Sequence, residues 1–310
     1  MDPPIRCSVS LSEIPVSTNP QIRRVSENWD NFWSSLEAPM VRLYTSGRPK
    51  TIHQFWQRCY AEDLWTLMGD RAKDAHYLEL GAGRGTTSMY LASKGCDVTM
   101  VDLSSAGFEV AKSNFAREGV KLPTMVQADA RNTGLPSESC DCILSIGLLE
   151  HFEDPRPVLA ESARLLRPGG FQFAVVIPER PDNIRHLAYA LLRPWSFGWA
   201  LLPTGLKRLI RPARHSGPQE KNTVVRTKYT CADYLKMLDG LDVTDVSCVP
   251  YNSYHPVYNS TFMEANLAIP LYRAHRMVKK IVSGPPLLTT WPGIASCDLL
   301  TFRKRGGKDR

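Results

Sequence analysis

Tyr77-Leu78-Glu79-Leu80-Gly81-Ala82-Gly83-Arg84-Gly85-Thr86 is the stretch on which the fold turns. A short apolar run with an acidic residue near its end passes directly into three alternate glycines, and a helical pattern opens after them. This reads as a buried strand, a tight turn and a helix. Glycines in the turn let a ligand approach the backbone, and free N–H groups at the helix start favour a negatively charged group. A dinucleotide fingerprint would place its third glycine one position later, where this chain has Thr86, so the register disfavours a nicotinamide cofactor.

The alternation continues outward. Strands are expected at 76–80, 98–101, 124–127, 140–146 and 171–177, with helices at 86–94, 106–118 and 157–166, the last stopped by Arg167-Pro168-Gly169-Gly170. A helix at 234–238, a sixth strand at 242–249 and a seventh at 297–302 complete an α/β, doubly wound, mostly parallel sheet. The organisation expected is a flexible arm at 1–22, an N-terminal helical cap at 23–73, a core at 74–180, an amphipathic lid insertion at 181–228, and the rest of the core at 229–310 with a substrate-cap insertion at 250–295. The cap is read from Trp29, Phe32, Trp33, Leu36, Phe55, Trp56, Tyr60, Leu64 and Trp65, which recur at helical spacing.

Two more acidic residues end strands. Asp102 follows Val98-Thr99-Met100-Val101, and 102 − 83 = 19 residues separate it from Gly83, close to the roughly 20 expected of a ribose-binding acid. Asp129 follows the third strand, where a carboxylate can accept from an adenine amino group. Each alone reads equally well as a cap or turn residue. Their register after consecutive strands points to one ligand.

On these residues the chain resembles the class I, Rossmann-like S-adenosylmethionine-dependent methyltransferases, in particular the group acting on small molecules and lipids. The matching features are Glu79-x-Gly81-x-Gly83-x-Gly85, Asp102, Asp129, the run from Asp141 to Phe152, and Leu165-Leu166-Arg167-Pro168-Gly169-Gly170 before a strand. The resemblance implies a seven-stranded sheet with its last strand antiparallel and S-adenosylmethionine as cofactor. By motif position Gly81, Gly83 and Gly85 line the methionine moiety with Glu79 nearby. Asp102 and Leu103 hold ribose and adenine, Asp129 and Ala130 the adenine edge, and Ser145, Ile146 and Gly147 the reactive end. Where this chain has Glu79 the family often has Asp.

Methyl transfer from a sulfonium needs an aligned nucleophile and an absence of water, and it needs a base where the acceptor is protonated. His151, just after the fourth strand, is the candidate base, because an imidazole titrates near neutrality. The alternative is that Glu150 and His151 brace the loop under the cofactor. His53, His186, Tyr44 and His255 lie in the cap segments as weaker candidates.

The acceptor is expected to be small and apolar or aromatic, methylated at oxygen. Ser145-Ile146-Gly147-Leu148 stands where DNA amine methyltransferases carry a Pro-Pro-aromatic turn, so DNA is not expected. A tRNA-modifying enzyme and a non-catalytic cofactor-binding partner protein are the alternatives. Residues 184–211 interleave Trp195, Phe197, Trp199 and aliphatic residues with Arg185, Arg193, Lys207, Arg208 and Arg211, which reads as a lid or as a membrane-surface contact. Tyr251, Tyr254, Tyr258, Phe262 and Trp291 are candidate aromatic pocket walls.

The formal net charge of +7 is scattered and inflated by the C-terminal basic residues, so it carries little functional weight. Eight cysteines without a CxxC pair read as reduced thiols in a cytoplasmic setting, with Cys96, Cys140 and Cys142 at strand positions. No signal peptide, membrane span or metal site is expected.

Overall fold

The computed structural model describes residues 20–35, 49, 51–179, 226–253, 266, 268–284, 286–290 and 295–306. In chain order they form α1 (Pro20–Ser35), α2 (Ile52–Met68), β1 (His76–Leu80), α3 (Thr86–Ser93), β2 (Asp97–Asp102), α4 (Ser105–Glu118), β3 (Thr124–Gln127), β4 (Cys140–Ile146), α5 (Arg156–Leu165), β5 (Leu166–Val176), α6 (Cys231–Met237), β6 (Val243–Ser253), α7 (Ile269–Val282) and β7 (Ala295–Lys304).

The seven strands make one sheet in the order β3-β2-β1-β4-β5-β7-β6. The first five strands are parallel to one another, and β7 runs antiparallel to both β5 and β6. This is the doubly wound sheet expected from the sequence, antiparallel last strand included. β1 pairs with β2 on one side and β4 on the other, so the chain order reverses there and opens a crevice at the carboxyl ends of the strands.

Both faces of the sheet are covered, as parallel strands require. Tyr77, Leu144, Phe173 and Leu299 pack against α2 and α7, whereas Leu78, Leu80, Ile143 and Phe302 pack against α5 and α6. Successive strand residues point to opposite faces, which places Glu79 on the face of Tyr77, toward α3.

Several boundaries differ from the sequence reading; β6, for one, runs to Ser253, into the stretch read as the substrate-cap insertion. α5 ends at Leu165 and β5 starts at once, with Leu166 opposite Cys140 and Phe171 opposite Cys142. Arg167-Pro168-Gly169-Gly170 is therefore a bulge within the strand as well as a helix stop, because Pro168 has no N–H for the ladder and Gly169 takes a φ of 76°. Cys96 lies in the turn before β2 rather than on a strand; Cys140 and Cys142 are buried on β4 as expected. α1 starts at Pro20, inside the stretch read as an arm.

Candidate cofactor and active site

Gly81, Gly83 and Gly85 take φ values of 67°, 47° and 69°, a left-handed region in which a side chain is strained. Two of them are covered closely by side chains. A Cβ on Gly81 would lie 2.7 Å from Leu148, and one on Gly83 would clash with the Trp33 ring. Gly85 serves the interior, because its Cβ would meet Met100 and Phe115. It also caps α3 without a side-chain bond, which leaves N–H groups of the first turn for a ligand.

Glu79 is buried beneath this turn, and its Oε2 accepts from the backbone N–H and the hydroxyl of Ser88 in α3. Burial pushes its carboxyl up to about 7. Asp102 holds the turn from the other side. Its Oδ2 accepts from the Gly83 N–H and its Oδ1 from the Ser104 N–H, each at 2.7 Å. Burial raises Asp102 to about 6 against the pull of these two bonds. Each carboxylate oxygen retains acceptor capacity, which suits a pair of ribose hydroxyls.

The remaining predicted residues divide. Ser145 is buried at the end of β4, and Gly147, at φ 69°, donates its N–H to the Val175 carbonyl at 2.8 Å. A Cβ on Gly147 would stand 3.4 Å from Glu150 Oε1. Ile146 is half-buried beside them. Leu103 accepts at its carbonyl from Gln127 Nε2 and from Ser26 Oγ. Asp129 is engaged by its neighbour: Arg131 donates from its backbone N–H, from Nε, and from Nη2 at 2.6 Å. Ala130 is buried beside it.

His151 closes a short 3-10 turn, Leu149–His151. Its imidazole meets the Trp29 ring edge-on, with centroids 5.0 Å apart, and its Nε2 lies 3.9 Å from Glu150 Oε1. Glu150 is buried, its Oε2 has no hydrogen-bond partner among the described residues, and burial pushes its carboxyl up to about 7.

The sequence reading missed how α1 covers this crevice. Asp30 Oδ1 accepts from Ser104 Oγ at 2.6 Å and from the Ala106 N–H at 2.9 Å, so it caps the start of α4 from outside. Ser26 ties α1 to Leu103, and Trp33 seats its ring against Gly83 and Gly107. The aromatic spacing of α1 is visible in the sequence. No sequence signal links Asp30 to a helix start more than seventy residues away.

Tyr251, read as a pocket wall, is instead buried in the core, where its hydroxyl donates to Asp63 at 2.7 Å. A tyrosine whose hydroxyl finds an internal carboxylate has no need of a pocket. His53, in the first turn of α2, meets Trp56 edge-on. Tyr44, His186, His255, Tyr254, Tyr258, Phe262, Trp291 and the stretch 184–211 lie outside the described residues. Among the described residues no group of three or more His, Cys, Asp or Glu side chains could hold a metal ion.

Comparison with known proteins agrees with this geometry. A methyltransferase domain profile matches residues 78–174. The chain is 29% identical over 205 residues to the ubiquinone biosynthesis O-methyltransferase of Marinobacter nauticus, covering 64% of this chain and 75% of that protein. It is 25% identical over 253 residues to the protein of that name from Cronobacter sakazakii, covering 78% and 93%. Among solved structures the [4+2]-cyclase SpnF shares the fold, with a TM-score of 0.53 at 17% identity over 92% of this chain and 96% of that one. The positive-φ glycine turn, the acidic strand ends, the seven-stranded sheet and these relatives together support a class I, Rossmann-like S-adenosylmethionine-dependent methyltransferase, with residues 78–174 matching its methyltransferase domain.

Proposed function

We propose that the chain transfers a methyl group to a hydroxyl oxygen of a small apolar or amphipathic acceptor, of phenol or quinol type. The relatives named as ubiquinone biosynthesis O-methyltransferases support this acceptor class. S-adenosylmethionine supplies the activated methyl group when bound. Gly81, Gly83 and Gly85, with Glu79, would hold its methionine part; Asp102 and Leu103 its ribose and adenine; Asp129 and Ala130 the adenine edge; and Ser145, Ile146 and Gly147 its reactive end.

The observation that carries the acceptor side is the setting of His151. It lies on the turn just after Gly147, walled by Trp29 and beside the buried carboxyl of Glu150. In this reading the imidazole takes the hydroxyl proton as the oxygen attacks, and ionised Glu150 stabilises the imidazolium that forms. Trp29 and Trp33 make the wall apolar and help exclude water. The reduced thiols of the core fit a cytoplasmic enzyme.

A radiolabelled methyl-transfer assay tests this, run over catechols, prenylated dihydroxybenzoates and total RNA. Label in the organic-soluble fraction, on oxygen, is the expected result. Label confined to RNA would overturn the acceptor assignment.

A further inference from the structure

α7 presents two unlike faces. Its inner side buries Ile269 and Tyr272, with the Tyr272 ring against Phe55 and Trp56 of α2, while Arg276 reaches Glu62 and Asp63. Its outer side is apolar and open: Leu271 is 53% exposed, Met277 64%, Val278 55%, Ile281 79% and Val282 77%. These five belong to only nine large exposed hydrophobics among the described residues, so the exposure is concentrated on one helix. At about 100° per residue they fall within one stripe opposite the core. A stripe of this kind marks a surface that something covers.

The charge on α7 indicates what covers it. The helix holds Arg273, His275, Arg276, Lys279 and Lys280 and no acidic residue. Arg273 and Lys280 border the apolar stripe. The Arg273 guanidinium lies over the Phe55 ring and has no carboxylate partner among the described residues. Beside it a cavity of about 280 Å³ opens between α2 and α7, lined in part by Phe55, Arg58, Glu62, Arg273 and Arg276. Glu62 pairs with Arg58 and Arg276, which leaves Arg273, among the described residues, as the cation at the cavity without a carboxylate partner.

A second copy of this chain, docked face to face, would set Arg273 and Lys280 against their own equivalents. The amphipathic stretch 184–211 carries Arg185, Arg193, Lys207, Arg208 and Arg211, and would also bring like charge. An anionic lipid surface offers both an acyl layer for the stripe and phosphates for its basic border.

We propose that α7 is a membrane-docking helix whose outer face enters the acyl boundary of an anionic bilayer while Arg273, at the mouth of the α2–α7 cavity, and Lys280, further along the helix, engage lipid phosphates. The helix lies in the interface and does not span: no helix among the described residues is long and apolar enough to cross a membrane. The inference is independent of the acceptor.

Vesicle flotation tests it, with phosphatidylcholine alone and with phosphatidylcholine plus phosphatidylglycerol. Wild-type protein floats with the anionic vesicles and stays below with the neutral ones. The pairs Ile281→Glu with Val282→Glu, and Arg273→Glu with Lys280→Glu, each lower the floated fraction about tenfold, because lost apolar burial and lost headgroup attraction both weaken interfacial binding. Their melting midpoints and S-adenosylmethionine titrations match wild type, which keeps this test separate from the methyl-transfer reading. Should the first pair fold poorly, Ile281→Ser with Val282→Ser gives the same loss. Wild-type protein that floats with neither vesicle would overturn the proposal, as would first-pair variants that float like wild type. A wild-type dimer that the same substitutions split, seen by light scattering, would assign the face to a second copy and overturn it too.

Discussion

The two rims of the crevice are built by different means. The donor rim is made of backbone: positive-φ glycines at 81, 83 and 85, and an N–H of Gly83 and of Ser104 on the two oxygens of Asp102. The opposite rim is made of side chains brought from far apart in the chain, with Trp29 on His151, Trp33 on Gly83 and Asp30 on the start of α4. A backbone rim has few solutions and leaves a local imprint on the sequence. A side-chain rim can be met by many residues, so the acceptor chemistry varies on a constant donor cradle.

The sharpest way to break this comparison is His151→Ala. If the side-chain rim carries the chemistry and the backbone rim carries the donor, kcat falls by about 10²–10⁴ while S-adenosylmethionine affinity is kept. Steady-state kinetics with a parallel calorimetric titration would read this. Equal loss of both would make His151 a brace of the loop. Next in size is Asp102→Ala, which removes the anchor of Gly83 and the proposed acceptor for ribose together. Donor affinity should fall by about 1.5–3 kcal/mol, the range for a hydrogen bond to a charged group, with little change in acceptor KM. Unchanged affinity would remove Asp102 from the site.

A smaller effect follows from the buried carboxyls. Glu79 and Glu150 are raised from 4.5 to about 7 and Asp102 from 3.8 to about 6. The folded state therefore binds more protons than the unfolded state between those limits, and stability falls as pH rises through them. The melting midpoint of ligand-free protein should drop from about pH 5 to about pH 7, and Glu150→Gln should flatten that slope; a midpoint that climbs over this window would contradict the burial argument. The smallest effect is expected at Asp129, whose carboxylate is already held by Arg131. Asp129→Ala should change donor affinity by about 1 kcal/mol or less, as for a partly exposed ion pair. A loss matching that of Asp102→Ala would make the adenine edge an equal partner of the ribose.

The same division explains what could be read from the sequence. Glu79, the three glycines and Asp102 were legible because each answers a local demand: a left-handed turn, an open helix start, a carboxylate at a strand end. The mostly parallel, doubly wound sheet was legible because apolar runs alternating with helices admit few arrangements, while its antiparallel last strand came from the family resemblance. Asp30 was not, since an acid on an amphipathic helix looks solvated until its distant partner, the start of α4, is placed beside it. Tyr251 misled for a related reason. Aromatic residues after a strand suit a pocket wall and a core equally, and the deciding partner, Asp63, lies 188 positions away. The run Arg167-Pro168-Gly169-Gly170 was read as a stop alone, although a strand can absorb it as a bulge.

The most direct test of the account is a calorimetric titration of S-adenosylmethionine and its demethylated product into the wild-type protein and into Asp102→Ala. Saturable one-to-one binding by wild type, with an affinity loss of about ten- to a hundredfold in the variant, is the predicted result. No binding heat with either ligand, or equal binding by both proteins, would contradict it.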